Sequence, residues 1–214
     1  MTRPVLYDYF RSSACYRVRI GLNLKGVDYH MEKVNLVEGD QKGEEYRAVN
    51  PQGLVPALHV EGHPVMTQSL AILDWLDATY GDPPFLPGDK DQRVHVLAMA
   101  TLIACDIHPL NNLRVLRYLR AELRCAEAAK DDWYRHWIEQ GFAALEEMAR
   151  PHAGAYLFGD QPTLADICLV PQLYNARRFS ISVADYPTLR RADETASGHP
   201  AFAAAHPDKQ ESHA

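Results

Sequence analysis

The sequence predicts an α/β plus all-α protein, in which a small domain with a mixed four-stranded sheet precedes an all-helical domain. Two observations predict this class. Strand-like and helix-like segments alternate over roughly the first 80 residues. After a stretch rich in proline and glycine, apolar residues recur only with helical spacing. We therefore expect a first domain at residues 1–82, a linker at 83–89 and a second domain at 90–214.

The first domain is expected to contain a βαβ unit followed by a ββα unit. Its strands should cover residues 4–10, 29–36, 55–60 and 64–67, and its helices residues 15–25 and 69–80. Gly26 ends the first helix, and Glu61-Gly62-His63 has the chemistry of a hairpin turn. Residues 37–49 form a polar segment that contains glycine. This order places helices on the faces of a small mixed sheet.

The second domain follows a run of turn-forming residues that cannot continue a helix. Long helical periodicity covers residues 90–119 and 131–149. A third helix opens after Pro162, where Thr163 and Asp166 have nearly the spacing of a capping box. We therefore assign Asp166 to the cap and not to catalysis. The tryptophans lie on apolar helical faces and are predicted core residues: Trp75, Trp133 and Trp137.

Composition and charge exclude several classes of protein. The formal charge of −6 argues against a nucleic-acid partner, which would require a basic face. The four cysteines show neither CxxC nor His/Cys ligand spacing, so we expect no metal and no disulfide scaffold. No apolar run approaches membrane-spanning length, and the N-terminus lacks a signal-peptide pattern. We therefore expect a cytoplasmic protein without a membrane partner.

The turn between the first strand and the first helix has the composition of an anion site. Ser12 and Ser13 lie where a helix leaves its first N–H groups without intrahelical partners. Three arginines surround these hydroxyls, at positions 11, 17 and 19. Exposed N–H groups, hydroxyl donors, the helix dipole and guanidinium charge together favour a thiolate or a carboxylate.

The order of elements and several motifs resemble the cytosolic glutathione transferases, whose first domain is thioredoxin-like. Leu54-Val55-Pro56-Ala57-Leu58 resembles the family segment in which a cis-proline turns the preceding backbone toward glutathione. Gln68-Ser69 resembles the pair that binds the γ-glutamyl carboxylate. The motif Ser12-Ser13-Ala14-Cys15-Tyr16-Arg17-Val18-Arg19-Ile20 is similar to that of the zeta class, the maleylacetoacetate isomerases.

The resemblance to the zeta class spans about residues 4 to 207. It also includes Asn50-Pro51-Gln52, the segment from Asp166 to Gln172 and Asn175-Ala176-Arg177-Arg178-Phe179. One position departs from the class motif, because Ala14 stands where the motif has cysteine and Cys15 follows one place later. Since one residue rotates a side chain by about 100° around a helix, we expect Cys15 to be a packing residue.

The resemblance implies a homodimer that uses glutathione as its cofactor and a dicarboxylic keto acid as its substrate. The implied catalytic residues are Ser12, Ser13 and Arg11. The implied glutathione contacts are Ser12, Ser13, Gln41, Val55, Pro56, Gln68, Ser69, His108 and Asn112. The implied substrate contacts are Arg11, Arg114 and Arg178. We assign Arg17 and Arg19 to structural salt bridges or to the dimer interface.

The implied reaction is the cis–trans isomerisation of maleylacetoacetate to fumarylacetoacetate in the degradation of tyrosine and phenylalanine through homogentisate. It requires a thiolate, but a free thiol titrates near about 8.5. Lowering that pKa by about two units requires roughly 3 kcal/mol. A hydrogen bond to a charged group contributes about 1.5–3 kcal/mol and a helix N-terminus about 0.3–1. One serine hydroxyl and the dipole are therefore sufficient, and we select Ser12, although Ser13 stays open.

Three alternatives remain open from the sequence. A maleylpyruvate isomerase of gentisate degradation would share the fold, cofactor and chemistry. The resemblance implies an additional arginine near His108–Asn112 in that group, and Leu113 in this chain argues against it. A glutathione transferase acting on α-halo acids would consume glutathione, whereas an isomerase would not. A non-catalytic binding module on the same fold is disfavoured, because such a module is expected to have lost the serine or the γ-glutamyl pair.

Overall fold

The computed structural model describes residues 3–210. These residues form two compact units: the chain up to Pro84 together with the segment from His199 onward, and Phe85–Gly198. The first boundary falls within the predicted linker. The segment from His199 differs from the prediction, which placed it in the helical domain. It joins the first unit because Asn23 donates a hydrogen bond to the carbonyl of Ala201 at 2.9 Å, and Arg19 donates one to the carbonyl of Ala205 at 3.1 Å.

The secondary structure is numbered in chain order. The strands are β1 Val5–Asp8, β2 His30–Lys33, β3 Ala57–His59 and β4 Met66–Thr67. The helices are α1 Ser13–Leu24, α2 Glu44–Val49, α3 Ser69–Tyr80, α4 Lys90–Thr101, α5 His108–Leu110, α6 Leu113–Ala121, α7 Glu127–Ala149, α8 Leu164–Arg178, α9 Pro187–Gly198 and α10 Pro200–Ala205. A π-helical turn, Leu102–Ile107, joins α4 to α5, and short 3-10 helices cover Asp40–Lys42 and Pro207–Lys209.

The first unit contains the predicted mixed sheet, with strand order β2-β1-β3-β4. The β1 and β2 strands are parallel, whereas β1 with β3 and β3 with β4 are antiparallel. Leu6 and Leu58 pair across β1 and β3 and are fully buried. The strands are shorter than predicted, and α2 in the polar segment was not predicted, because a six-residue helix is too short for its periodicity to show. The sheet thus positions the turns that precede α1 and α3.

The second unit is helical, as predicted, and α8 is buried along most of its length. The Asp166 carboxylate accepts hydrogen bonds from the amide and hydroxyl of Thr163 and from the amide of Leu157, at 2.8, 2.9 and 2.8 Å. The predicted capping box is therefore confirmed. Burial raises the pKa of Asp166 to about 6, although these hydrogen bonds oppose the shift. This carboxyl group is fully buried and acts in the fold of the second unit.

The helices differ from the prediction in three respects. The predicted helix over 90–119 is interrupted by the π-helical turn and by a break at Asn111 and Asn112, and α7 begins four residues before 131. The predicted core tryptophans are only half-buried: Trp75, Trp133 and Trp137.

One helical run meets a membrane criterion that the sequence was not expected to meet. Residues Lys90–Ala121 are long and apolar enough, by length and composition alone, to cross a membrane. The core helix of a globular protein meets the same criterion, and Val96, Met99 and Ala100 of this run are buried in the second unit. Only 33% of the most apolar stretch of this run is buried, so part of the run and not all of it belongs to the core of the second unit.

Candidate active site

The start of α1 places the Ser12 hydroxyl at an exposed helix terminus. Ser12 precedes α1 with extended backbone angles, and its hydroxyl oxygen accepts a hydrogen bond from the amide of Cys15 at 3.3 Å. Its own amide donates to the carbonyl of Tyr9 at 2.8 Å, which fixes the turn after β1. A hydroxyl has one donor hydrogen and two acceptor lone pairs. The cap uses an acceptor position, and the Ser12 hydroxyl is also a side-chain hydrogen-bond partner of the Cys15 thiol. A ligand thiolate would therefore compete with Cys15 for the hydroxyl hydrogen.

The neighbours of Ser12 are less accessible. Ser13 is 4% exposed, whereas Ser12 is half-buried. Cys15 is fully buried, and burial raises the pKa of its thiol far above the usual range. The prediction that Cys15 is a packing residue is confirmed. Ser12 is therefore the better exposed of the two candidate hydroxyls.

The three arginines near this turn occupy different environments. Arg11 is exposed, and its guanidinium lies 4.7 Å from the centre of the Phe10 ring. Arg19 is fully buried and forms the predicted structural salt bridge, with Asp8 at 2.5 Å. Arg17 is also buried, but it donates to the hydroxyl of Ser69 at 3.4 Å. The hydrogen bond from Arg17 joins α1 to α3, and the assignment of Arg17 to a salt bridge or to the dimer interface stays a prediction.

The loop before β3 carries the predicted cis-proline. The Val55–Pro56 peptide bond is cis, as the resemblance implied. The carbonyl of Leu54 accepts hydrogen bonds from the Tyr46 hydroxyl at 2.7 Å and from the Asn50 side chain at 2.6 Å. These contacts hold the loop against α2. The roles of Tyr46 and Asn50 were missed, because the motif around Asn50 does not indicate which carbonyl it binds.

The start of α3 offers N–H groups that suit a carboxylate. Gln68 has a φ of 69°, in the left-handed region, and precedes this twelve-residue helix. Strained backbone of this kind clusters at ligand sites. The Gln68 side chain donates to that of Gln52 at 2.9 Å, and Ser69 is 6% exposed. The residues predicted to bind the γ-glutamyl carboxylate thus lie at a helix N-terminus, as the resemblance requires.

Gln41 carries a buried acceptor that the chain leaves unsatisfied. Its side chain is 7% exposed, and its Oε1 has no hydrogen-bond partner within residues 3–210. Such orphaned acceptors are rare and call for an explanation such as a ligand donor. Gly53 has a φ of 60° and packs closely against the backbone of Gln41. A side chain at position 53 would place its Cβ only 2.8 Å from the Gln41 carbonyl oxygen. A peptide-like cofactor could donate one of its N–H groups to the Oε1 atom of Gln41.

The remaining predicted residues belong to the second unit. His108 is half-buried and begins α5, directly after the π-helical turn. π-Helical turns inside α-helices frequently mark functional sites. The Asn112 side chain caps α6 by accepting from the amide of Arg114 at 3.1 Å, and the Arg114 side chain is exposed. Because the cap uses only the side-chain oxygen, the side-chain NH2 group of Asn112 can still donate hydrogen bonds.

Arg178 lines a polar pocket at the end of α8. The pocket has a volume of about 240 Å³ and is lined by Asp131, Arg135, Arg178, Phe179, Ser180 and Ile181. Phe179 stacks on Tyr134 at 3.7 Å, and the Arg178 guanidinium lies 5.9 Å from the Phe179 ring. Arg135 was not predicted, since only the packing of α7 beside the end of α8 brings it there. Arg135 pairs with Asp132 at 3.3 Å, and Asp131 also lines the pocket, so Arg178 is the guanidinium better placed to bind a carboxylate there.

Comparison with known proteins agrees with this description. Residues 11–79 match the family model described as glutathione S-transferase, N-terminal domain, and residues 127–207 match the glutathione S-transferase C-terminal domain. A probable maleylacetoacetate isomerase from Vibrio cholerae is 47% identical over 212 residues, which cover 98% of each chain.

Two solved structures share both the fold and much of the sequence. A holo maleylpyruvate isomerase, described as a bacterial zeta-class glutathione S-transferase, has a TM-score of 0.93 and 44% identity over 96% of this chain and 98% of its own. A maleylacetoacetate isomerase from Methylobacterium extorquens, with bound malonate and glutathione, has a TM-score of 0.94 and 37% identity over 97% of this chain and 98% of its own. The second of these structures therefore contains both a dicarboxylate and glutathione.

Proposed function

This chain belongs to the glutathione S-transferase family and to its zeta class, and we propose that it is a glutathione-dependent isomerase that converts maleylacetoacetate to fumarylacetoacetate. The observation that carries the proposal is the position of the Ser12 hydroxyl, half-buried at the start of α1, where its oxygen caps the helix. A hydroxyl whose oxygen accepts in this way can still donate its hydrogen to a thiolate. The relatives named for this reaction match the chain over nearly its whole length.

The thiol-activating group is Ser12. When bound, glutathione would supply the thiolate nucleophile for reversible addition to the cis double bond. Ser12 stabilises that thiolate by donating its hydroxyl hydrogen, and the N-terminus of α1 adds its dipole. Ser12 is a donor and not a base, because a serine hydroxyl is too weak an acid to ionise.

Residues of the first unit are suited to hold the rest of the cofactor. Ser69 and the N–H groups at the start of α3 suit the γ-glutamyl carboxylate. The orphaned oxygen of Gln41 suits a peptide N–H. The backbone of Val55, turned by the cis bond to Pro56, suits the cysteinyl peptide group. These donors and acceptors match a short peptide that carries a carboxylate.

Arginines bind the substrate in this proposal. The candidate arginines each carry an exposed side chain: Arg11, Arg114 and Arg178. A guanidinium binds a carboxylate through two parallel N–H bonds, which a lysine cannot form. The carboxylates of a maleyl keto acid are the matching acceptors.

Maleylpyruvate is the second candidate substrate, because the holo maleylpyruvate isomerase resembles this chain as strongly as the maleylacetoacetate isomerases do. The test is to measure kcat/KM for both substrates with the same enzyme and saturating glutathione. We expect a preference for maleylacetoacetate. A clear preference for maleylpyruvate would reassign the substrate, and turnover of neither would contradict an isomerase.

The homodimer and the cytoplasmic location belong to the same proposal. Reduced glutathione is abundant in reducing compartments, which supports the cytoplasm. The dimer is supported by the family to which the chain belongs. Sedimentation equilibrium of the purified chain should give twice its mass of 24.1 kDa, and a single-chain mass would refute the dimer.

A further inference from the structure

We infer that Arg17 is a positioning residue for the carboxylate of the bound cofactor and acts through Ser69. This inference rests on the proposed role of glutathione and concerns how its γ-glutamyl end is recognised. Arg17 lies on α1 and is 1% exposed, so it is not placed to contact a ligand from the protein surface. Its Nη1 donates to the Ser69 hydroxyl oxygen at 3.4 Å, which joins α1 to the first residue of α3.

The direction of this hydrogen bond decides what Ser69 can do. A guanidinium only donates, so the Ser69 oxygen must accept, and the single hydroxyl hydrogen of Ser69 then points elsewhere as a donor. A carboxylate at the start of α3 is an acceptor of the matching kind. Arg17 therefore favours the orientation in which Ser69 donates to the ligand.

The charge of Arg17 acts in the same direction. A guanidinium stays protonated when it is buried, and a charge in a region of low dielectric acts more strongly than one at the surface. Behind the N-terminus of α3, it adds to the positive end of the helix dipole. Both effects strengthen the binding of an anion at that terminus.

Arg19 provides a matched comparison on the same helix. It is also fully buried, but its guanidinium is paired with the Asp8 carboxylate at 2.5 Å and donates to the carbonyl of Phe10 at 2.9 Å. The Arg19 guanidinium donates hydrogen bonds to Asp8, Phe10 and Ala205, and none of these residues lies on α3. Changes at Arg19 should affect stability without affecting carboxylate recognition.

The test compares two ligands on one folded protein. Calorimetry measures the Kd of glutathione and of 4-aminobutyryl-cysteinylglycine, which lacks only the α-carboxylate of the γ-glutamyl residue. The wild type should prefer glutathione. Arg17→Gln should weaken glutathione binding about tenfold, which is about 1.4 kcal/mol, and leave the analogue within about twofold. Arg17→Lys should give an intermediate preference, and Arg19→Lys should leave the preference unchanged.

The double variant adds a second readout. If Arg17 acts through Ser69, then Arg17→Gln should have a smaller effect in a Ser69→Ala background, since coupled residues are not additive. Equal weakening of both ligands by Arg17→Gln would reduce Arg17 to a structural role and overturn the inference. If Arg17→Gln does not fold, the same two Kd values are measured for Arg17→Lys. A preference for glutathione equal to that of the wild type would then overturn the inference. Wild-type protein that fails to bind glutathione would instead contradict the proposed function.

Discussion

The hydroxyl oxygen of Ser12 accepts a hydrogen bond from the backbone N–H of Cys15 at 3.3 Å. This contact caps α1, and a cap alone would account for a serine at this position. It does not exclude the catalytic role, because capping uses a lone pair and thiolate stabilisation uses the hydroxyl hydrogen. One side chain therefore serves both the helix and the cofactor.

Replacement of Ser12 should raise the pKa of the bound glutathione thiol. Ser12→Ala removes a hydrogen bond to a charged group, which is worth about 1.5–3 kcal/mol and corresponds to a rise of about one to two units. The measurement is the ultraviolet absorbance of the thiolate in the enzyme–glutathione complex as a function of pH. Turnover at neutral pH should fall in parallel.

Ser12→Gly separates the two roles of this side chain. Glycine costs only a few tenths of a kcal/mol at a helix cap, whereas alanine costs about 0.5–2. Both variants should therefore show the same raised thiol pKa but different thermal stability. Ser13→Ala should leave the pKa unchanged, and a rise confined to Ser13→Ala would transfer the role to Ser13.

Arg178 should determine the affinity for substrate without affecting the thiol. Arg178→Ala removes a charge-assisted contact to a carboxylate, so KM should rise about 10- to 150-fold. Arg178→Lys should give a smaller rise, since it keeps the charge but loses the paired geometry. Steady-state kinetics measure KM, and thiolate absorbance reports the glutathione pKa, which should not change.

Arg177→Lys is the control for this prediction. Arg177 is the preceding residue on α8, and its guanidinium pairs with Asp193 at 2.5 Å. Its replacement should change stability but not KM. If Arg177→Lys raised KM as much as Arg178→Lys, the effect would come from disturbance of the end of α8 and not from a contact to substrate.

Asp166 should make a contribution to stability that falls as pH rises. Its folded pKa of about 6 lies above the ordinary value of 3.8, because burial outweighs the hydrogen bonds from Thr163 and Leu157. The folded chain therefore holds this proton more tightly than the unfolded chain between these two values. The stabilisation is fully present below about pH 4 and is lost as pH rises through about 6.

Asp166→Asn isolates this contribution, because asparagine does not titrate. The difference in unfolding free energy between wild type and Asp166→Asn, measured by urea denaturation, should decrease by up to about 3 kcal/mol from pH 4 to pH 7. A difference that instead grew with pH would show that the hydrogen bonds from Thr163 and Leu157 stabilise the ionised carboxylate more than burial destabilises it.

Glu146 should stabilise the second unit by capping α9 from a distance. This α7 residue is 3% exposed, and its carboxylate accepts from the amides of Thr188 and Leu189 at 3.0 to 3.1 Å. Glu146→Gln should lower the unfolding free energy by about 1.5–3 kcal/mol. The substitution removes the negative charge and replaces one carboxylate oxygen, which accepts a hydrogen bond, with an NH2 group that faces the amides of Thr188 and Leu189. Urea denaturation measures this loss.

Glu147→Gln is its control, since Glu147 is the next residue and forms an exposed ion pair with Arg150 at 2.6 Å. Exposed pairs contribute about 0–1 kcal/mol. Equal losses of unfolding free energy in Glu146→Gln and Glu147→Gln would show that the cap on α9 stabilises the protein no more than an exposed ion pair does.

The parts of the fold that were predicted correctly are those with local signals. The start of α1 and the start of α8 both follow from hydroxyl or carboxylate side chains at cap positions, and β1 and α3 follow from apolar periodicity. The break before α6 was missed, although Asn112 is a capping residue, because the periodicity on either side resembles that of one helix.

The parts that were missed depend on residues far apart in the sequence. Arg17 and Ser69 are 52 positions apart, so the reach of the guanidinium to α3 has no local signal. The packing of α10 on α1 likewise depends on contacts such as that between Arg19 and Ala205, 186 positions apart. The π-helical turn before His108 was also missed, because apolar periodicity does not distinguish a π-helical turn from an α-helix.

A glutathione balance tests the central claim most directly. The enzyme is incubated with maleylacetoacetate in large excess over glutathione, and both the fumaryl product and the free thiol are measured at the end. We expect complete conversion of the substrate with all of the glutathione recovered. Conversion that stops after one equivalent with loss of thiol, or that proceeds equally well without glutathione, would contradict a glutathione-dependent isomerase.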